Sequence, residues 1–161
     1  MRKLVIRRIF QAPVEQVFRA FVSPEALKAW WSPRGYDAID AHADVRVGGR
    51  YQLVMRSQTS ASTVYVHGFY QEISPPTRLV FTHMFERRDG GAMFVEAGLA
   101  DHQTLVTVEF HARGRATELV LIQEKLPTAA AGEALQIGWQ GILERLGEYL
   151  GQGGEIPRPD A

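Results

Sequence analysis

The chain has 161 residues, 18 Lys plus Arg against 18 Asp plus Glu, and no cysteine. A chain of this length forms one domain and buries roughly 70% of the surface it exposes when unfolded. Zero net charge excludes the broad positive field of a general nucleic-acid binder. The lack of cysteine excludes disulfide frameworks, thiolate metal sites and cysteine nucleophiles. No apolar run approaches the about 18–20 residues of a membrane span. The first eight residues set charges among their apolar positions and lack a signal-peptide core, so the expected location is cytoplasmic. One domain is expected over residues 1–150, followed by a Gly- and Pro-rich flexible tail over residues 151–161.

In chain order, residues 3–10 are rich in β-branched side chains and read as a strand. Pro13 starts a short helix whose buried face is Val14, Val17, Phe18 and Phe21. Ser23, Pro24 and Glu25 open a second, with Ser as N-cap, Pro in the first turn and Glu against the positive helix end. That helix runs into Trp30 and Trp31 and stops at Pro33–Gly35. Strands follow over 36–43 and, after a turn at Gly48-Gly49, over 50–57, with Tyr51, Leu53 and Met55 on one face. Residues 64–73 and 78–86 flank Ser74-Pro75-Pro76-Thr77 as a hairpin. Residues 103–111 and 117–124 make two more alternating strands about a turn at Gly114. From about residue 130 to 150, Leu135, Trp139, Ile142, Leu143, Leu146 and Leu150 form a helical stripe about five turns long, with Gly151 as its C-terminal cap. Successive strands joined by short turns make an antiparallel sheet. The last helix is the one element long enough to cover its buried face. A twisted sheet wrapped round one helix packs poorly at its middle, which leaves room for a cavity.

Several strings carry a family resemblance. They are Phe10-Gln11-Ala12-Pro13 with Val17-Phe18, Pro24-Glu25-Ala26-Leu27 with Trp30-Trp31, and Asp44-Val45-Arg46-Val47-Gly48-Gly49. They continue with Gly68-Phe69-Tyr70-Gln71-Glu72-Ile73, Pro75-Pro76-Thr77-Arg78-Leu79-Val80-Phe81-Thr82, Thr104-Leu105-Val106-Thr107-Val108, and Gly138-Trp139 through Leu146 to Leu150. Together they cover nearly the whole chain. In them the chain resembles the activator of heat-shock-protein-90 ATPase homologue-like family of the START and birch-pollen-allergen-like (SRPBCC) superfamily. The resemblance implies an α+β helix-grip fold: a curved antiparallel sheet wrapped around a long C-terminal helix, two short N-terminal helices and an internal cavity. Two positions depart from the family pattern. Leu135 stands where a His often precedes the Gly-Trp pair of the last helix, and Gln123 where a His often ends the last strand. Both remove a titratable group from the expected cavity.

Of the five histidines, no two have the i, i+4 spacing of a helical zinc site, and no metal or other cofactor is expected. Strand parity sets His83 with Leu79 and Phe81 on the inner face and His111 on the outer. At His83 three readings stand: a partly solvated strand-end residue, a ligand contact, and an acid or base. Parity also puts Glu109 and Glu118 on the wet face, and Asp44 with Arg46 reads as a structural ion pair. No G-x-S-x-G elbow is present, and neither Gly48-Gly49 nor Gly90-Gly91 precedes a helix in a βαβ unit. Arg87 and Arg88 read as surface.

The leading expectation is a START-like domain that binds a small hydrophobic molecule between sheet and helix. Trp31, Tyr51, Tyr70, Phe81, His83, Trp139 and Leu143 would line the site, with residues 87–102 as a lid. An alternative is a cyclase- or hydrolase-type enzyme using His83 with Tyr51 or Tyr70 as hydrogen-bond partner. A third is a protein-interaction module by analogy with the co-chaperones. The partner expected is the small hydrophobic ligand, with neither nucleic acid nor a membrane span; a homodimer is left open.

Overall fold

The computed structural model describes residues 2–152. The elements are β1 (Lys3–Phe10), α1 (Val14–Val22), α2 (Pro24–Trp30), β2 (Tyr36–Ala43), β3 (Arg50–Ser57), β4 (Thr63–Ser74), β5 (Arg78–Glu86), α3 (Ala92–Glu96), β6 (Thr104–Arg113), β7 (Ala116–Glu124) and α4 (Ala129–Gln152). The strands form a curled, seven-stranded antiparallel sheet in the order β1-β7-β6-β5-β4-β3-β2. The α1–α2 pair carries the chain from one sheet edge, β1, to the other, β2. Successive connections then walk back until β7 pairs with β1, Ile6 opposite Leu121.

Alternation decides which face is which, because successive strand side chains point to opposite sides. On β1, Leu4, Ile6 and Phe10 are buried while Val5 and Ile9 are exposed. On β3, Tyr51, Leu53 and Met55 point inward as expected, all buried. The outer face also carries ion pairs. There Arg78 on β5 reaches Glu72 on β4 at 3.1 Å and Glu109 on β6 at 3.3 Å, a half-exposed bridge of modest worth. Arg46 meets Asp44 at 2.8 Å in the Gly48-Gly49 turn, as the sequence suggested. Arg87 and Arg88 are paired at the surface with Asp101 and Glu86.

The concave face is filled by α4. Its predicted stripe, Leu135, Trp139, Ile142, Leu143, Leu146 and Leu150, is buried throughout. The helices at the other end start as read: Ser23 Oγ accepts from the Ala26 N–H at 3.3 Å, with Pro24 in the first turn of α2. Gly151 is a correction. It lies inside α4, which runs on to Gln152, and it has no positive φ, so it is not the left-handed cap expected. The flexible tail expected over 151–161 falls, from residue 153 on, outside the described residues. Among the described residues no helix is long and apolar enough to cross a membrane.

The segment 87–102 is more structured than a plain loop. It contains α3, buries Phe94 and Leu99, and returns to the sheet by a bridge between Phe85 and Ala100.

Gly68 marks the tightest approach of the sheet. A Cβ built there would lie 1.9 Å from the Thr82 carbonyl oxygen. The closeness lets Thr82 Oγ1 accept from the Phe69 N–H at 2.8 Å, and it sits beside the β4–β5 register shift between Tyr70 and Glu72. The Gly68→Ala variant is expected to lose about 2–3 kcal/mol by denaturant unfolding, since backbone must move to admit the methyl group.

Candidate functional site

The inner faces of β5, β6 and β7 meet α4 around His83. His83 is only 4% exposed because parity turns it inward with Phe81 and Phe85. Its ring packs edge-on to Phe85 at 5.0 Å between centroids, stacks near Trp31 at 6.5 Å and lies 6.1 Å from Trp139.

A run of buried hydrogen bonds fixes the polar side of this site. Trp139 Nε1 donates to Gln123 Oε1 at 2.8 Å. Gln123 Nε2 donates to Thr104 Oγ1 at 2.8 Å and lies 3.4 Å from His83 Nδ1. Thr104 Oγ1 donates to the His83 carbonyl at 3.0 Å. Each group is buried, so each bond spares the cost of an unpaired polar atom, about 1–3 kcal/mol. Burial, with a smaller contribution from His67, holds the His83 imidazole down to about 3. The ring is neutral at pH 7.

Beside His83 lies a small cavity of about 30 Å³, bounded among others by Trp31, Val66, Phe94, Leu135 and Trp139. Its outer wall is shared. Pro33, Tyr36, Phe94 and Gly138 also line an open groove of about 510 Å³ between α3, α4 and the segment after α2. Phe94 stands in the wall that the two share. It stacks on Phe85 at 4.4 Å with rings 12° apart. On α4 it fills the place of a side chain at Gly138, where an added Cβ would sit 3.3 Å from its Cζ.

The seven residues singled out by sequence fall into separate places. Trp31, His83 and Trp139 line the cavity. Tyr51, Tyr70 and Phe81 line a second, narrower space of about 10 Å³ on the other side of Trp31, which borders both. Tyr51 donates its hydroxyl to the Thr82 carbonyl at 2.6 Å, so His83 and Tyr51 are not brought together. Burial keeps both tyrosine hydroxyls protonated, Tyr70 pushed up to about 12. Leu143 is fully buried but lines neither space.

Sequence reasoning passed over Thr104, Phe94 and the active part played by Gln123, treated there only as a missing histidine. The signal for two of them was parity: Gln123 shares a face with Leu119 and Leu121, and Thr104 with Val106 and Val108. Among the described residues no three His, Asp or Glu side chains are grouped to hold a metal ion.

A curled antiparallel sheet closed on a long C-terminal helix, with an apolar cavity between them, defines a START-like helix-grip domain. Residues 11–151 match the family described as Activator of Hsp90 ATPase homolog 1-like protein. The chain therefore belongs to that family. A crystal structure of a Chromobacterium violaceum protein is similar, at 27% identity and a TM-score of 0.74, covering 92% of this chain and 96% of that one. An AHSA1 protein of Silicibacter pomeroyi superposes with a TM-score of 0.76 at 21% identity, covering 94% and 99%. An AHSA1-like protein of Aeromonas hydrophila does so at 0.74 and 21%, covering 98% and 97%. No curated protein matches the chain.

The depressed His83 has a consequence for stability. Between about pH 6.5 and 3 the unfolded chain binds this proton and the folded chain does not, so stability falls as pH falls through that window. Between pH 7 and 5, wild type is expected to lose about 2 kcal/mol more than His83→Gln. Urea unfolding of both proteins at the two pH values measures the difference; equal losses would refute it.

Proposed function

We propose that this chain binds a small hydrophobic molecule between the sheet and α4, entering from the groove past Phe94. The observation that carries the reading is the wall that the two spaces share. An apolar cavity walled by Trp31 and Trp139 shares Pro33, Tyr36, Phe94 and Gly138 with an open groove, and Phe94 is the one large ring held in that shared wall by stacking. Apolar walls with a few placed polar groups are the usual make-up of a small-molecule site. In this arrangement the free volume of the cavity is about 30 Å³, far below the roughly 150 Å³ of a cavity that takes benzene. Occupancy by anything larger requires Phe94 to leave its stack, with α3 acting as the lid.

Binding is favoured over acid–base catalysis. An imidazole whose conjugate acid lies near 3 is a weak base, well below the near-neutral value that suits proton transfer. The tyrosines offered as its partners lie across Trp31.

Trp31 and Trp139 report on filling of the cavity through their fluorescence. Phe94→Ala is expected to destabilise the protein by about 3–5 kcal/mol. It is also expected to bind monocyclic aromatics such as acetophenone at least tenfold more tightly than wild type, recovering part of that stability on saturation. Phe94→Leu serves if the alanine variant does not fold. Tryptophan emission unmoved by such ligands in the folded variant would overturn the reading.

A further inference from the structure

The hydrogen bonds around Gln123 have a direction, and it decides what the cavity presents to a ligand. An indole N–H can only donate. The Gln123 atom facing Trp139 at 2.8 Å is therefore the amide oxygen, which fixes the orientation of the whole amide. Its NH₂ group then faces Thr104 Oγ1 and His83 Nδ1. Thr104 spends its own hydroxyl proton on the His83 carbonyl, so it is free to accept. An NH₂ group offers only donors, so His83 Nδ1 is the unprotonated nitrogen and the ring proton sits on Nε2.

Among the described residues no acceptor meets this Nε2. Nor is it sealed away, for the buried side-chain atoms without partners are those of Gln16 and Arg145. It is an unused donor on a ring that is 4% exposed and that lines an otherwise apolar cavity. An unmatched donor in such surroundings favours a partner that brings an acceptor.

We propose that the ligand of this cavity is an apolar molecule bearing one acceptor oxygen, a ketone, aldehyde or ether, that takes the His83 Nε2–H. Gln123 is the positioning residue that holds the ring in this tautomer. The proposal rests on the binding reading above and adds to it the chemical class of the ligand. A hydrocarbon of equal shape leaves the donor unpaired and binds less well than its hydrophobicity warrants.

The test uses two probes of nearly equal shape, acetophenone and α-methylstyrene, which differ by C=O against C=CH₂. Both are titrated into full-length Phe94→Ala and into Phe94→Ala/His83→Phe. The ratio of ketone to alkene affinity is expected to fall about 10-fold when the histidine is lost, the worth of one net hydrogen bond. An unchanged ratio overturns this proposal while leaving the binding reading intact. Failure of both probes to bind Phe94→Ala overturns the two together.

A second measurement needs no substitution in the cavity wall. In ¹⁵N-histidine-labelled wild type at pH 7, His83 is expected as the neutral Nε2–H tautomer. The Nδ1–H tautomer would overturn the proposal. Gln123→Glu, which places an acceptor beside Nδ1, is expected to move the proton to that nitrogen. A tautomer unmoved in the folded variant would refute the positioning role of Gln123.

Discussion

The contact on which the rest of the inner site depends is the hydrogen bond from Trp139 to Gln123. The apolar stripe of α4 drives the helix into the concave face of the sheet by hydrophobic burial, and that carries the indole N–H of Trp139 out of water. A buried donor without an acceptor costs about 1–3 kcal/mol. The acceptor comes from β7, as Gln123 Oε1. Accepting there commits the other end of the amide, whose two N–H groups need acceptors in turn. These are Thr104 on β6 and His83 on β5. One buried indole thus orders polar groups on three adjacent strands, and each is held in a single protonation or rotamer state.

The same packing shapes the empty space. Aromatic rings meet mostly edge-on or tilted through the core: Trp31 against Trp139 at 5.1 Å, Phe21 against Trp30 at 4.8 Å and against Phe110 at 5.3 Å. Rings meeting this way fill volume in slabs, and Trp31 stands as a partition between two narrow spaces. Its position is tied to α4 through its neighbour. Ser32, the next residue, accepts from Arg145 of α4 at 2.7 Å, which ties the end of α2 to the helix. The face toward Phe94 is held differently, by ring stacking and by the absence of a side chain at Gly138. Dispersion contacts of that kind are individually small.

Much of the fold was legible. β1, β2, β3 and β5 have the bounds read from the sequence, and the α4 stripe is buried at each named position. Period-2 and period-3.6 patterns are local, and burial follows from them whenever one face is covered. The site was legible in part. Parity turned His83 inward and left His111 half-exposed, beside Glu109 at 3.2 Å. It could not say that Trp31 separates Tyr51 from His83, because that depends on how two helices and a sheet cross. Gln123 was misjudged for a related reason. Measured against the histidine of the family pattern it is a loss of charge. Measured against its neighbours it is the one side chain that can accept from Trp139 and donate to His83 together.

By itself the sequence determined the order of the elements, the inner and outer faces of each strand, the covering role of the last helix and the membership of the family. These depend on near neighbours in the chain and on residue type. Only the tertiary structure decided the direction of the buried hydrogen bonds, the pairing of Gln123 with His83 and the placing of Phe94 between cavity and groove. Each of these joins residues far apart in sequence, 40 positions for Gln123 and His83. Their geometry comes into being when α4 closes on the sheet and water is excluded, and no local pattern records it.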